Sequence, residues 1–126
     1  MPRRFTVEWT LSAGQDLRSL VGYRIHESEE SAEKIFKRIR QKADSLTIFP
    51  CRGRVVPELL SLYLSRYREI ILSPYRLIYR IEGQKLFVVG LFDGRRDLEE
   101  VLMDRLLYEE ELQILSRKTR LMDCDF

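Results

Sequence analysis

The stretch Tyr67-Arg68-Glu69-Ile70-Ile71-Leu72-Ser73-Pro74-Tyr75-Arg76-Leu77-Ile78-Tyr79-Arg80-Ile81-Glu82-Gly83-Gln84-Lys85-Leu86-Phe87-Val88-Val89-Gly90-Leu91-Phe92 decides the fold. Tyr67–Leu72, Tyr75–Glu82 and Lys85–Phe92 are rich in β-branched and aromatic residues, which suit a pleated surface. Ser73-Pro74 and Gly83-Gln84 interrupt them at hairpin-like lengths, and Asp93-Gly94 ends the last run. The pattern predicts three antiparallel strands in a meander. Side chains alternate along a strand, so Tyr75, Leu77, Tyr79 and Ile81 share one face while Arg76, Ile78 and Arg80 share the other.

Working outward, the period changes to helical on both sides. Upstream, Ser28 is a good N-cap, followed by Glu29 and Glu30 where a helix dipole favours carboxylates. Ala32, Ile35, Phe36, Ile39, Ala43 and Leu46 then recur at steps of three and four. Pro50 and Gly53 stop this helix soon after Phe49. A helix from about Ala13 to His26, capped by Ser12, precedes it, so the two make an antiparallel hairpin. The segment holding Cys51, Arg52, Gly53, Arg54 and Pro57 reads as a loop. Phe5-Thr6-Val7-Glu8-Trp9 alternates like a short half-buried strand. Downstream, Leu98, Val101, Leu102, Leu106, Leu112 and Leu115 form the stripe of a last helix, 97–118, with little pattern in 119–126. The reading is α+β: an N-terminal strand, an α-helical hairpin, a three-stranded antiparallel meander and a C-terminal helix.

Composition sets the outer limits. At 126 residues with 44% hydrophobic content, one domain with one core is expected, built around residues 5–102. No apolar run reaches the length of a membrane span and no signal peptide follows Pro2-Arg3-Arg4, so a cytoplasmic protein without membrane partners is expected. Cys51, Cys124 and the single histidine, His26, have no metal-like spacing, so no metal or other cofactor is expected. Neither cysteine has a base near it in sequence, and His26 sits near a helix end remote from the arginines, so thiol and histidine chemistry are poor candidates.

Net charge is +2 but unevenly spread. Arg52–Arg96 holds nine basic residues against four acidic ones, whereas 101–126 holds four against six. Arg68, Arg76 and Arg80 come from neighbouring strands, and Arg95 and Arg96 follow the last one. These five are the candidate anion- or target-binding residues, expected to line a groove on the open side of the sheet. A guanidinium pairs bidentately with phosphate or carboxylate and stays charged. The competing reading makes Arg68, Arg76 and Arg80 surface residues paired with Glu69 and Glu82.

The ordered set Trp9, Ala13, Asp16-Leu17, Leu46-x-x-Phe49-Pro50, Gly53-Arg54-Val55-Val56-Pro57-Glu58-Leu59, Tyr67-Arg68-Glu69-Ile70, Tyr75-Arg76-Leu77-Ile78-Tyr79-Arg80-Ile81 and Gly94-Arg95-Arg96-Asp97-Leu98 resembles the RelE/ParE toxins, the plasmid-stabilisation type of type II toxin–antitoxin toxin. The likeness runs from Phe5 to Leu102. It implies a growth inhibitor held inactive by an adjacently encoded antitoxin, in a toxin–antitoxin hetero-oligomer. Fold alone does not choose between the family's two activities. The ParE branch poisons DNA gyrase; the RelE branch cleaves messenger RNA on the ribosome.

In a RelE-like enzyme the resemblance places Arg76 and Arg96 where arginines hold phosphate, and Arg68 where a lysine acts, making these three the catalytic candidates. Ile70 stands where a second basic residue is expected and Leu102 where a tyrosine is. Tyr108, six residues further along a helix, faces a different direction by roughly 120°. These departures put gyrase poisoning ahead of RNA cleavage, with a non-toxic protein-binding member as a third reading. The last helix is expected either to close the core or to form a dimer or antitoxin interface.

Overall fold

A computed structural model describes residues 5–62 and 66–110, with side chains omitted at 60–62. Two compact units make up the chain, Met1–Arg96 and Asp97–Phe126. In the first, β1 (Thr6–Trp9) is followed by helices α1 (Leu11–Glu27) and α2 (Glu29–Ser45). Then come β2 (Arg54–Val55), a 3₁₀-helix (Pro57–Leu62), β3 (Tyr67–Leu72), β4 (Tyr75–Glu82) and β5 (Lys85–Asp93). This is the α+β arrangement read from the sequence, with a sheet of five strands instead of four. The segment around Arg54, read as a loop, supplies a two-residue strand because Arg54 and Val55 pair antiparallel with Glu69 and Arg68.

The sheet order is β1-β5-β4-β3-β2. β3, β4 and β5 form the expected antiparallel meander. β1 instead runs parallel to β5, Thr6 opposite Lys85 and Trp9 opposite Val88. The β4–β5 register shifts between Ile78 and Tyr79, where the partner steps from Gly90 to Val88. That bulge puts Leu86, Val88 and Leu91 on one face despite their uneven spacing.

The helical hairpin covers that face. Ala13, Ile35, Ile39, Ala43 and Leu46 pack with Ile70, Leu72, Tyr75, Leu77, Tyr79, Leu86, Val88 and Leu91. At roughly 1.5–3 kcal/mol for each fully buried large apolar side chain, this layer is the main stabilising element of the unit. Phe36, included in the sequence stripe, is 37% exposed, with the Arg40 guanidinium 6.0 Å from its ring centroid.

The helix ends correct two details. Thr10, not Ser12, caps α1: its Oγ1 accepts from the Ala13 N–H at 3.2 Å. Thr10 keeps an extended backbone because its own N–H donates to the Val88 carbonyl of β5, leaving Ser12 inside the first turn. Ser28 caps α2 as expected, accepting from the Ser31 N–H at 3.2 Å, and also ends α1 by donating its N–H to the Arg24 carbonyl. α2 stops at Ser45, short of Phe49. There the hydroxyls of Ser45 and Thr47 donate back to the Lys42 and Asp44 carbonyls, drawing the chain into turns.

Asp16 joins α1 to the sheet. Its carboxylate accepts from the Leu91 N–H at 3.0 Å, past the point where β1 stops pairing with β5. In the second unit a helix occupies residues 99–110, and the Asp97 side chain accepts from the Glu99 N–H at 3.2 Å. The expected continuation to Lys118 and the segment 119–126 lie outside the described residues. Among the described residues, no helix is long and apolar enough to cross a membrane.

Candidate functional site

The two-residue turn at Ser73-Pro74 sets Leu72 opposite Tyr75, which fixes every pair above it. Tyr67, Glu69 and Ile71 fall opposite Arg80, Ile78 and Arg76, so these six share the face turned away from α1 and α2. Arg68 falls opposite Tyr79 and belongs to the helix-covered face. Its Nη1 donates to the Gly53 carbonyl at 2.9 Å. The expected convergence of Arg68 with Arg76 and Arg80 is therefore corrected: a strand's period of two sends them to opposite sides.

Arg76 is at the centre of a closed ion-pair network. Its Nε donates to Glu69 Oε2 at 2.6 Å, and its two Nη atoms donate to Glu58 at 2.5 and 2.7 Å. The other Glu69 oxygen accepts from Arg54 Nε at 2.7 Å. Side-chain exposure falls from 59% for Arg54 to 25% for Glu58, 11% for Arg76 and zero for Glu69. The Glu58 hydrogen bonds, and then those to Glu69, hold the Arg76 guanidinium charged well beyond its ordinary range. Reciprocally, Arg76 pulls the Glu58 carboxyl below the usual carboxylate range, with burial opposing. Two cations and two anions thus balance here, and the expected open groove is corrected to a self-paired cluster beside a cleft of about 380 Å³.

The remaining candidates sit apart from this pairing. Arg80 is buried, 5% exposed, with its guanidinium carbon 4.6 Å from the Phe87 ring centroid and its Nε 3.6 Å from Glu82. Among the described residues its Nε and Nη1 have no hydrogen-bond partner. Arg95 is exposed and chelates Asp93 at 2.7 and 3.0 Å, which pulls the Asp93 carboxyl far below its ordinary range. Arg96 is exposed, its backbone N–H bonded to the Asp93 carbonyl at 3.3 Å. Ile70 is buried in the helix-side core, so no cation stands there. His26, in the last turn of α1, and Cys51 are exposed.

Sequence reasoning missed Arg54 and Glu58. Both flank Val55-Val56-Pro57, and their signal was a short apolar run with a charge of opposite sign at each end. It missed Tyr79 as well. This buried phenol accepts from the Gly53 N–H at 2.9 Å and donates to the Pro50 carbonyl at 2.8 Å, fixing the approach to β2. Burial pushes its ionisation up, so it remains a neutral donor.

Known proteins share this fold. A family model described as the ParE toxin of the type II toxin–antitoxin system parDE matches residues 7–98. No curated protein sequence matches the chain. Among solved structures, one from the chromosomal ParDE toxin–antitoxin system of P. aeruginosa superimposes with a TM-score of 0.61 at 18% identity. It covers 72% of this chain and 97% of that one. One from the RelBE2 toxin–antitoxin complex of Mycobacterium tuberculosis gives 0.51 at 21% identity, covering 71% and 91%. With the family model spanning β1 to the end of the sheet and beyond, the chain belongs to the ParE toxin family of type II toxin–antitoxin systems.

Proposed function

We propose that this chain is a cytoplasmic growth inhibitor that acts by binding DNA gyrase, without cleaving RNA, and is neutralised by an acidic antitoxin. The observation that carries the choice is the pairing of Arg76 with both Glu58 and Glu69. Attack of an RNA 2′-hydroxyl on the adjacent phosphate passes through a dianion that free cations must stabilise, with proton transfer by a group poised near neutrality. Arg76, the position that would hold that phosphate, already spends its charge on two carboxylates. Arg68 faces the other side of the sheet, and Ile70 adds no cation. A phosphate at Arg76 would lie against an anionic Glu58, held ionised by the same arginine. A protein-binding toxin has no such requirement, and a balanced network of this kind keeps a binding surface rigid.

The antitoxin partner is supported by the solved structures of similar fold, which come from toxin–antitoxin systems. The test pairs two reconstituted assays. With purified gyrase and supercoiled plasmid, the chain is expected to give cleaved or unsupercoiled DNA. With translating ribosomes it is expected to leave transcripts intact. Cuts at codon edges with gyrase unaffected would reverse the assignment. Growth without arrest, beside firm antitoxin binding, would leave only a binding module. Co-expression with the neighbouring open reading frame is expected to restore growth.

A further inference from the structure

Two clefts flank the Ser73-Pro74 turn, and cations line both. One, of about 460 Å³, lies between the turn and the helical hairpin and is lined by Arg24, Ser28, Ser31, Lys34, Arg38 and Ser73 among others. The other carries Arg54, Arg76 and Arg95. Among the described residues lining the first cleft, three cations meet a single carboxylate, Glu30, which is 3.2 Å from Lys34. Arg24 is held by neutral hydroxyls: Tyr75 Oη accepts at 2.9 and 3.2 Å, and Ser31 Oγ at 3.5 Å. Its guanidinium is thereby aimed by neutral hydroxyls, with the Glu27 carboxylate acting on it only at longer range. Lys34 and Arg38, four residues apart on α2, stand about 5–6 Å from each other at their Cβ atoms.

We infer that this end of the sheet is a contact surface for the phosphate backbone of duplex DNA, seated in the Arg24–Lys34–Arg38 cleft beside the Ser73-Pro74 turn. Phosphate is favoured over protein carboxylates because three serine hydroxyls stand among the cations, a donor set that recurs on nucleic-acid backbones. A duplex is favoured over a single strand because, among the described residues, Tyr75 of the second cleft is the one aromatic lining residue, and it is buried and offers no stacking platform. Contacts of this kind position without reading sequence. The inference does not depend on the gyrase reading, since it concerns binding to DNA alone.

The test measures binding of the purified full chain to a fluorescent random duplex of about 20 base pairs across a salt series. K34Q/R38Q is compared with K37Q/R40Q, which removes the same charge from α2 outside the cleft. K34Q/R38Q is expected to weaken binding at least about tenfold and to lower the salt slope by about two, with K37Q/R40Q close to the parent. All four positions are exposed, and an unchanged melting temperature confirms the fold. Equal losses in the two variants would reduce the effect to net charge and overturn the site. So would an undetectable complex at about 50 mM salt, or competition by polyglutamate as strong as that by unlabelled DNA, which would make the surface one for acidic proteins.

Discussion

Arg76 and Glu69 meet at 2.6 Å on the sheet face turned away from the helical hairpin, and the carboxylate of Glu69 has no solvent exposure. A carboxylate out of water needs partners at both oxygens, and Arg54 and Arg76 supply one each. Removing the acid leaves a nearly buried guanidinium without its second partner. Glu69→Ala is expected to lose about 3–5 kcal/mol of unfolding free energy. Glu69→Gln, which keeps the shape and some hydrogen bonding, is expected to lose less. Urea denaturation measures both, and an unaltered midpoint for Glu69→Ala would show that the network contributes nothing.

Glu58 ties acid stability to the same cluster. Its folded pKa is lowered by Arg76, so the unfolded state takes up its proton first as pH falls. The contribution is complete above the ordinary glutamate range, around 4.3, and disappears as pH drops through the lowered folded value. Glu58→Gln is expected to be less stable at neutral pH and to show a shallower decline in that acid window, the two curves converging in strong acid. Thermal melting from neutral pH downward records the slopes. Parallel curves would remove Glu58 from the linkage.

Gly53 has no room for a side chain. A Cβ there would lie 2.5 Å from the Glu69 carbonyl oxygen and 2.6 Å from the Tyr79 hydroxyl. Gly53→Ala is therefore expected to cost about 1–3 kcal/mol through displacement of β2 or Tyr79. Tyr79→Phe strands a buried N–H at Gly53 and the Pro50 carbonyl, and roughly 1–3 kcal/mol is expected there too. The two losses should be less than additive, because both disturb one contact. Full additivity in a double-mutant cycle would contradict the shared clamp.

Asp16→Ala should loosen the seat of α1 on β5. The Leu91 N–H then loses its acceptor, at an expected cost of about 1–3 kcal/mol. Amide exchange gives the sharper readout: Leu91 is expected to lose protection while Leu77, deep in the meander, keeps its own. Unchanged protection at Leu91 would mean that Asp16 does not hold that amide.

The meander and the helical hairpin were legible because each carries its own period. Tyr75, Leu77 and Tyr79 announce a buried strand face, and Ala32, Ile35 and Ile39 a buried helix stripe. Arg68 was misplaced although the turn length already settles its side: Leu72 opposite Tyr75 puts Arg68 opposite Tyr79. What stayed hidden depends on partners far along the chain. Arg54 and Val55 form a strand only because Glu69 and Arg68 lie beside them, and Glu58 reaches Arg76 from a 3₁₀ segment without a repeating pattern. Thr10 overrides Ser12 as cap because β5 holds its backbone.

The seam between the first strand and the last has a consequence for how such a chain is made. Synthesis delivers Thr6–Trp9 well before the neighbour it must join, since Lys85–Asp93 is translated only after the whole hairpin and most of the meander. Until then a growing chain carries a strand with one apolar face and unpaired amides, and closing so large a loop is slow. A product terminated before Lys85 lacks the strand that sits between β1 and β4, so its sheet cannot assemble. Only a chain extended through Lys85–Asp93 can complete the five-stranded sheet.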